Sequence, residues 1–274
     1  MEKNTRLPTK KGEEKTMDLG LNLYSVRNLI KTEEELTKTA AALREMGYEY
    51  LQFSGAPFDA GMIKRASETA GIPFVLTHSP IDRIIDDTER LMDEHASFGC
   101  KNIGLSTIPW SLIHVEEEVK KTIEKLEAAG EKMAKNGFTL YYHNHHVDFQ
   151  KFGGQTILDY FAENAPHVNF TLDIYWAQYG GEDVMSLIEK LSGRIGCVHI
   201  KDYVITFKDG KFEPLSTAIG DGNFDFPKII AAMKKSGTKY FLVEEENAAD
   251  FPDTLAEVKR NVEFAKAHLP MLCK

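Results

Sequence analysis

Short apolar runs rich in β-branched and aromatic residues alternate along this chain with longer stretches of helical periodicity, and the alternation repeats. Residues 19–24 (LGLNLY) predict a first strand. Residues 32–46 predict a helix, with Thr32 as N-cap, Glu35 three residues on and Gly47 as its stop. A second strand at 50–53 and a helix at 58–70 ending at Gly71 repeat the unit, followed by a strand at 73–78 and a helix at 82–98 closed by Gly99. A fourth strand at 101–106 leads into a long amphipathic helix at 115–135. The fifth strand begins at 138 and is followed by a helix at 155–163, and the sixth spans 168–173 with a helix at 183–191. After a seventh strand at 196–200 the spacing lengthens, and residues 201–222 predict a small hairpin about 208–211 before a helix at 226–235. A strand at 239–245 and a helix at 253–268 complete the series. Eight strand–helix units with no room for separate domains predict a single-domain α/β protein, a (β/α)8 TIM barrel, in preference to an open doubly wound sheet. Residues 1–16 are polar, Lys-rich and aperiodic, and are expected to be a disordered lead-in, leaving 17–274 as the barrel.

The totals narrow the functional classes. A net charge of −9 lies in runs such as residues 33–35 and 116–118, which read as solvated helix faces. Without a basic stripe, a nucleic-acid partner is not expected. The 3 cysteines are far apart and show no C-x-x-C spacing, which argues against a disulfide framework or a zinc ribbon and fits a cytoplasmic setting. No apolar run is long enough to span a membrane, so no membrane partner is expected. Nothing in the composition fixes an oligomeric state, and a homo-oligomer is compatible with it.

The chemistry concentrates at residues 138–149, FTLYYHNHHVDF. Alternation puts Tyr141, His143 and His145 on one face and Tyr142, Asn144 and His146 on the other, so at most two of the three histidines reach one centre. In such barrels reactive residues lie at the C-terminal ends of the strands. Those ends read Tyr24, Phe53, His78, Ser106, His143, Asp173, His199 and Glu244. Singly, each has a plain structural explanation: Asp173 could cap a turn, His199 could be a satisfied core histidine, and Glu244 could belong to the solvated run 244–246. Together, His143, Asp173, His199 and Glu244 predict a divalent-cation site of two imidazoles and two carboxylates. Mixed N/O ligands suit Mn²⁺, Zn²⁺, Co²⁺ or Fe²⁺ better than Ca²⁺, with Mn²⁺ favoured and Mg²⁺ compatible. Positions left open on a six-coordinate ion suit a carbonyl next to a hydroxyl, and hence removal of a proton α to that carbonyl.

Leu23–Arg27 (LYSVR), Tyr142–His145 (YHNH), Leu172–Trp176 (LDIYW), Val198–Asp202 (VHIKD), Ile219–Phe226 (IGDGNFDF) and Val243-Glu244 resemble the sugar phosphate isomerase/epimerase family, with its xylose-isomerase-like barrel. The resemblance implies an isomerase or epimerase acting on a small-molecule sugar. It also implies a divalent metal held by Glu, Asp, His and Glu from strands five to eight, of which Asp173, His199 and Glu244 match three. Epimerases of the family carry Glu where His143 stands, and their two metal-bound glutamates serve as the acid–base pair. The departure implies that His143 binds the metal and that His145 is free as general base or acid, with a pKa near neutrality suited to the task. Glu244 and Lys201 complete the implied catalytic set. Lys201, Tyr24, Trp176 and His78 are implied substrate contacts, the two aromatic residues as sugar-stacking walls, and Asp202 is expected to organise the following loop. Gly220 and Gly222 are expected to shape a turn.

Three other readings compete. The YHNH version is also similar to members that act on 3-keto-sugars and eliminate a glycosidic leaving group, so a keto-sugar or cyclitol lyase or dehydratase is the alternative. An endonuclease IV-like enzyme would need three metals and a further His where Trp176 stands. A non-catalytic sugar-binding barrel would need a degenerate metal site.

Overall fold

The structure is a computed structural model and describes residues 17–273. The expected lead-in, residues 1–16, lies outside the described residues. Strands Gly20–Asn22, Tyr50–Phe53, Phe74–His78, Asn102–Leu105, Thr139–His143, Val168–Asp173, Ile195–Ile200 and Tyr240–Val243, called here the first to the eighth, form one closed barrel. Every neighbouring pair is parallel, and closure comes from the first strand lying against the eighth through Gly20↔Leu242 and Leu21↔Val243. The chain is thus the single-domain (β/α)8 TIM barrel that the eight units predict.

Alternation along the strands decides what fills the barrel. Tyr50, Leu76, Tyr141, Cys197 and Leu242 form a cluster inside it, separate from the main core. Two strand glycines make room for the large rings: a Cβ at Gly20 would lie 2.3 Å from the Tyr50 ring, and one at Gly196 2.2 Å from the Tyr141 hydroxyl. One residue on, Tyr142 faces out and stacks on Phe161 of the helix Ile157–Asn164, with ring centres 4.4 Å apart. His143 therefore points inward again, at the C-terminal mouth.

The helices obey their end signals. Thr32 and Glu35 form a reciprocal capping box on Glu33–Met46, which stops at Gly47 with φ 109°. Boundaries elsewhere fall within a few residues of expectation, with two corrections. The helix expected over 82–98 is two, Ile81–Asp86 and Thr88–Ser97, with Asp87 at φ −132° and ψ 35° between them. At the break the Thr88 hydroxyl donates to the Ile84 carbonyl at 2.7 Å, and the Asp87 carboxylate is held by Arg83 at 2.9 Å, so side chains replace continuous helical bonding. The helix Ile174–Tyr179, directly after the sixth strand, was not expected, because its IYWAQY sequence is too short to show a period. The expected hairpin is Asp202–Lys208 against Lys211–Thr217, turning at Asp209 and Gly210 with φ 51° and 81°. Among the described residues no helix is long and apolar enough to cross a membrane.

Behind the third strand lies a buried histidine that makes stability pH-dependent. His95 Nδ1–H donates to the Leu91 carbonyl at 2.7 Å, and Nε2 lies 2.8 Å from the Thr77 hydroxyl, which can donate to it. Burial pushes its pKa down to about 4. Between the unfolded value of about 6.5 and this folded value the unfolded chain binds the extra proton, so stability falls as pH falls through that window, by up to about 3 kcal/mol. The stability gap between wild type and His95→Gln in denaturant titrations should therefore narrow by about 2 kcal/mol from pH 7 to pH 5. A gap that does not change with pH would remove this assignment.

Candidate metal centre and active site

Four side chains from successive strands, His143, Asp173, His199 and Glu244, are buried at the mouth, and their ligand atoms all lie within 4.8 Å of one another. His143 Nε2 is 3.1 Å from His199 Nδ1 and 3.5 Å from Asp173 Oδ2, and His199 Nδ1 is 3.1 Å from Glu244 Oε2. Ligand bonds of about 2.1 Å around a single ion place neighbouring donor atoms roughly 3–3.5 Å apart, which is this spacing. The capping reading of Asp173 also holds, with the labour divided between its oxygens. Oδ1 accepts the Trp176 backbone N–H at 2.9 Å and so starts the helix Ile174–Tyr179, while Oδ2 faces the cluster.

Lys201 is fully buried and not the surface residue its Lys-Asp neighbourhood could suggest. Its ammonium lies 3.3 Å from Glu244 Oε1, 3.9 Å from Asp173 Oδ2 and 2.5 Å from Glu246 Oε1. Three carboxylates against one ammonium leave two negative charges uncompensated, the charge that a divalent cation neutralises. The donor set therefore fits such an ion in charge as well as in spacing. Without one, His199 carries part of the burden: burial alone would lower its pKa, but Glu244 and Asp173 raise it to about 9. Asp173 and Glu244 are held well below the carboxylate range, since Lys201 and the two histidines outweigh their desolvation.

Three residues that the sequence analysis passed over support the cluster. The Asn22 amide donates a short hydrogen bond to Glu244 Oε2. Gln52 Oε1 lies 2.7 Å from His199 Nε2, and its amide nitrogen 2.8 Å from His78 Nε2. With the amide oriented to satisfy both, His199 donates Nε2–H to Gln52, so Nδ1 is the nitrogen that faces the other ligands, protonated in the metal-free protein and able to bind an ion once that proton leaves. Glu246 is the third, through Lys201. Asn22 and Gln52 stand out in LGLNLY and YLQF as polar residues inside apolar strands, and that is the signal that could have found them.

His145 follows the strand end, its ring centre 4.6 Å from that of His143 and 5.6 Å from Trp176, and its Nδ1 is buried without a protein partner. In the metal-free protein burial and the adjacent His143 push its pKa down to about 3, below the near-neutral value expected for it, so the ring is neutral at pH 7. Trp176 and Tyr175 lie under the Lys201 ammonium at 4.6 and 4.9 Å. Tyr24 is beyond its strand, which ends at Asn22; its half-exposed ring lies at the rim beneath the Arg27 guanidinium, 4.6 Å away. His78 is not a free donor: Gln52 takes one ring nitrogen and Ser54 the other at 3.2 Å, while its face stacks on His143 at 5.2 Å. Asp202 organises its loop as expected, accepting backbone N–H groups of Tyr203, Gly220, Gly222 and Phe224 at 2.9 to 3.3 Å. Gly222 is required there, because a Cβ would lie 2.2 Å from the Asp202 carboxylate.

The fold and the site together define a closed parallel barrel whose mouth gathers two imidazoles and two carboxylates that could hold a cation. Residues 40–268 match the model of the xylose isomerase-like TIM barrel family, and the chain belongs to that family. It is 26% identical over 240 residues to an inosose dehydratase of Clostridium perfringens, covering 74% of this chain and 77% of that protein. Among solved structures it is similar to a sugar phosphate isomerase/epimerase from Parabacteroides distasonis, with a TM-score of 0.74 at 21% identity over 96% of this chain and 97% of the other. An L-ribulose 3-epimerase superposes with a TM-score of 0.67 at 18% identity, covering 93% and 95%.

Proposed function

We propose that this barrel is a divalent-metal-dependent sugar isomerase or epimerase that removes a proton α to the carbonyl of a keto-sugar or related polyol. The observation that carries the reading is the buried His143–Asp173–His199–Glu244 cluster with its shortfall of two positive charges. An ion held by these four, Mn²⁺ before Zn²⁺, Co²⁺ or Mg²⁺, supplies Lewis acidity toward a carbonyl beside a hydroxyl. His145, neutral and with an unpartnered ring nitrogen beside the cluster, takes the α-proton; burial makes it a weak base, so the reading requires the bound ion to acidify the α-carbon. Lys201 keeps its ammonium against Glu244 and Asp173, where it stabilises negative charge developing on the substrate oxygen. Glu244 is the second candidate for proton transfer, and Trp176 and Tyr24 wall the sugar.

A second outcome of the same proton removal is elimination, giving a dehydratase or lyase. The inosose dehydratase relative and the histidine at 143 both favour keeping it. Metal-loaded protein incubated with ketoses, inososes and 3-keto-glycosides in D₂O distinguishes the outcomes. Isomerisation or epimerisation leaves the product's formula unchanged apart from deuterium, whereas elimination removes water or an aglycone. Absence of both deuterium incorporation and metal binding after reconstitution would overturn the reading. The orientation of His199 provides a further check: Gln52→Leu should weaken metal binding about 10- to 100-fold in chelator-competition titrations, and unchanged affinity would deny Gln52 that role.

A further inference from the structure

On the far side of Tyr175 from Lys201 lies a cavity of about 340 Å³ lined by Tyr175, Gln178, Tyr179, Tyr203, Ile205 and Pro214. Its walls come from the helix after the sixth strand and from one face of the hairpin. Register pairs Tyr203 with Ser216, Ile205 with Pro214 and Phe207 with Phe212, so alternation puts this apolar set on a single face. Tyr179 and Ile205 are 50% and 56% exposed, a cost in exposed apolar surface that the barrel core does not explain. Tyr175 is the partition between two environments. Lys201 lies 4.9 Å from its ring centre, while Tyr203 and Tyr179 ring centres are 5.7 and 5.9 Å away toward the cavity. The volume is that of a small-molecule subsite, and aromatic walls with hydroxyl and amide edges suit a flat ring that carries hydroxyls.

We propose that this cavity is an aglycone subsite, and that the substrate is a keto-sugar glycoside bearing an aromatic ring, with the sugar at the cluster and the ring between Tyr179 and the hairpin. The inference rests on the proposed keto-sugar chemistry, and its test separates the two. Binding of nitrophenyl and methyl β-glucosides to the metal-loaded full chain is measured by calorimetry, and turnover with the corresponding 3-keto-glucosides. Wild type should bind the aryl compound at least tenfold more tightly than the methyl one. Ile205→Asp, at an exposed hairpin position, and Tyr179→Ser should erase most of that preference while leaving kcat for the methyl substrate unchanged. An aryl preference that the two variants abolish, without turnover of either compound, would uphold the subsite and overturn the chemistry. Equal affinity for aryl and methyl compounds in wild type, or a preference untouched by both variants, would overturn the subsite even if both substrates react.

Discussion

In the His143→Ala protein, bound divalent metal is expected to fall to a small fraction of the wild-type content, whereas His145→Ala keeps its metal and loses about 10²- to 10⁴-fold in kcat. The two residues are neighbours in sequence with rings 4.6 Å apart, yet their nitrogens face different things. His143 Nε2 lies within 3.5 Å of both His199 and Asp173, inside the ring of donors. His145 has no contact of this kind, and its neutral ring has Nδ1 buried and unpartnered. Elemental analysis of both variants beside wild type, with circular dichroism to confirm folding, checks the metal arm, and deuterium exchange into substrate checks the catalytic arm. Loss of metal from His145→Ala with retention in His143→Ala would exchange the roles. Retention by both would remove imidazole from the fifth-strand ligand position altogether.

The sequence was most legible where one strong rule acted alone. Closing glycines, the Thr32–Glu35 box and the β-branched runs each mark an element without reference to the rest of the chain, so the eight units could be counted. The cluster was legible because His143, Asp173, His199 and Glu244 all fall at strand ends, where barrel topology makes them converge. What escaped depended on parity or on contacts distant in sequence. Taking the last residue of the second strand gave Phe53, which packs outward against Phe74 at 6.3 Å, while Gln52, one position earlier, faces the site. At the first strand the chain leaves extended geometry after Asn22, so Asn22 and not Tyr24 is the inward residue. A shift of one residue changes the face of a strand, and strand ends are where sequence patterns locate least well. The burial of Lys201 was equally invisible: VHIKD reads as a strand running into a charged turn, and only the closed barrel shows that Glu246 and Glu244 of the eighth strand's end lie beside the seventh.

Replacing Lys201 with Met is expected to destabilise the metal-free protein by about 3–5 kcal/mol, and the metal-loaded protein by clearly less. The ammonium is inaccessible to water and faces three carboxylates at 2.5 to 3.9 Å, and their pull raises its pKa although burial opposes it. Methionine fills similar volume, so the cost is electrostatic, arising from Asp173 and Glu244 left buried with only protonated His199 to balance them. A divalent cation among the same carboxylates supplies the missing charge, which is why the penalty should shrink on loading. Guanidinium unfolding of wild type and variant, each after chelator treatment and after Mn²⁺ reconstitution, gives the four stabilities required. A penalty equal in both states would mean that the ammonium and the ion do not share these carboxylates, and one below about 1 kcal/mol in the metal-free state would mean that Asp173 or Glu244 takes up a proton instead. The shrinkage also reports on metal position without any substrate, so it bears on the cluster even if the sugar chemistry proves different.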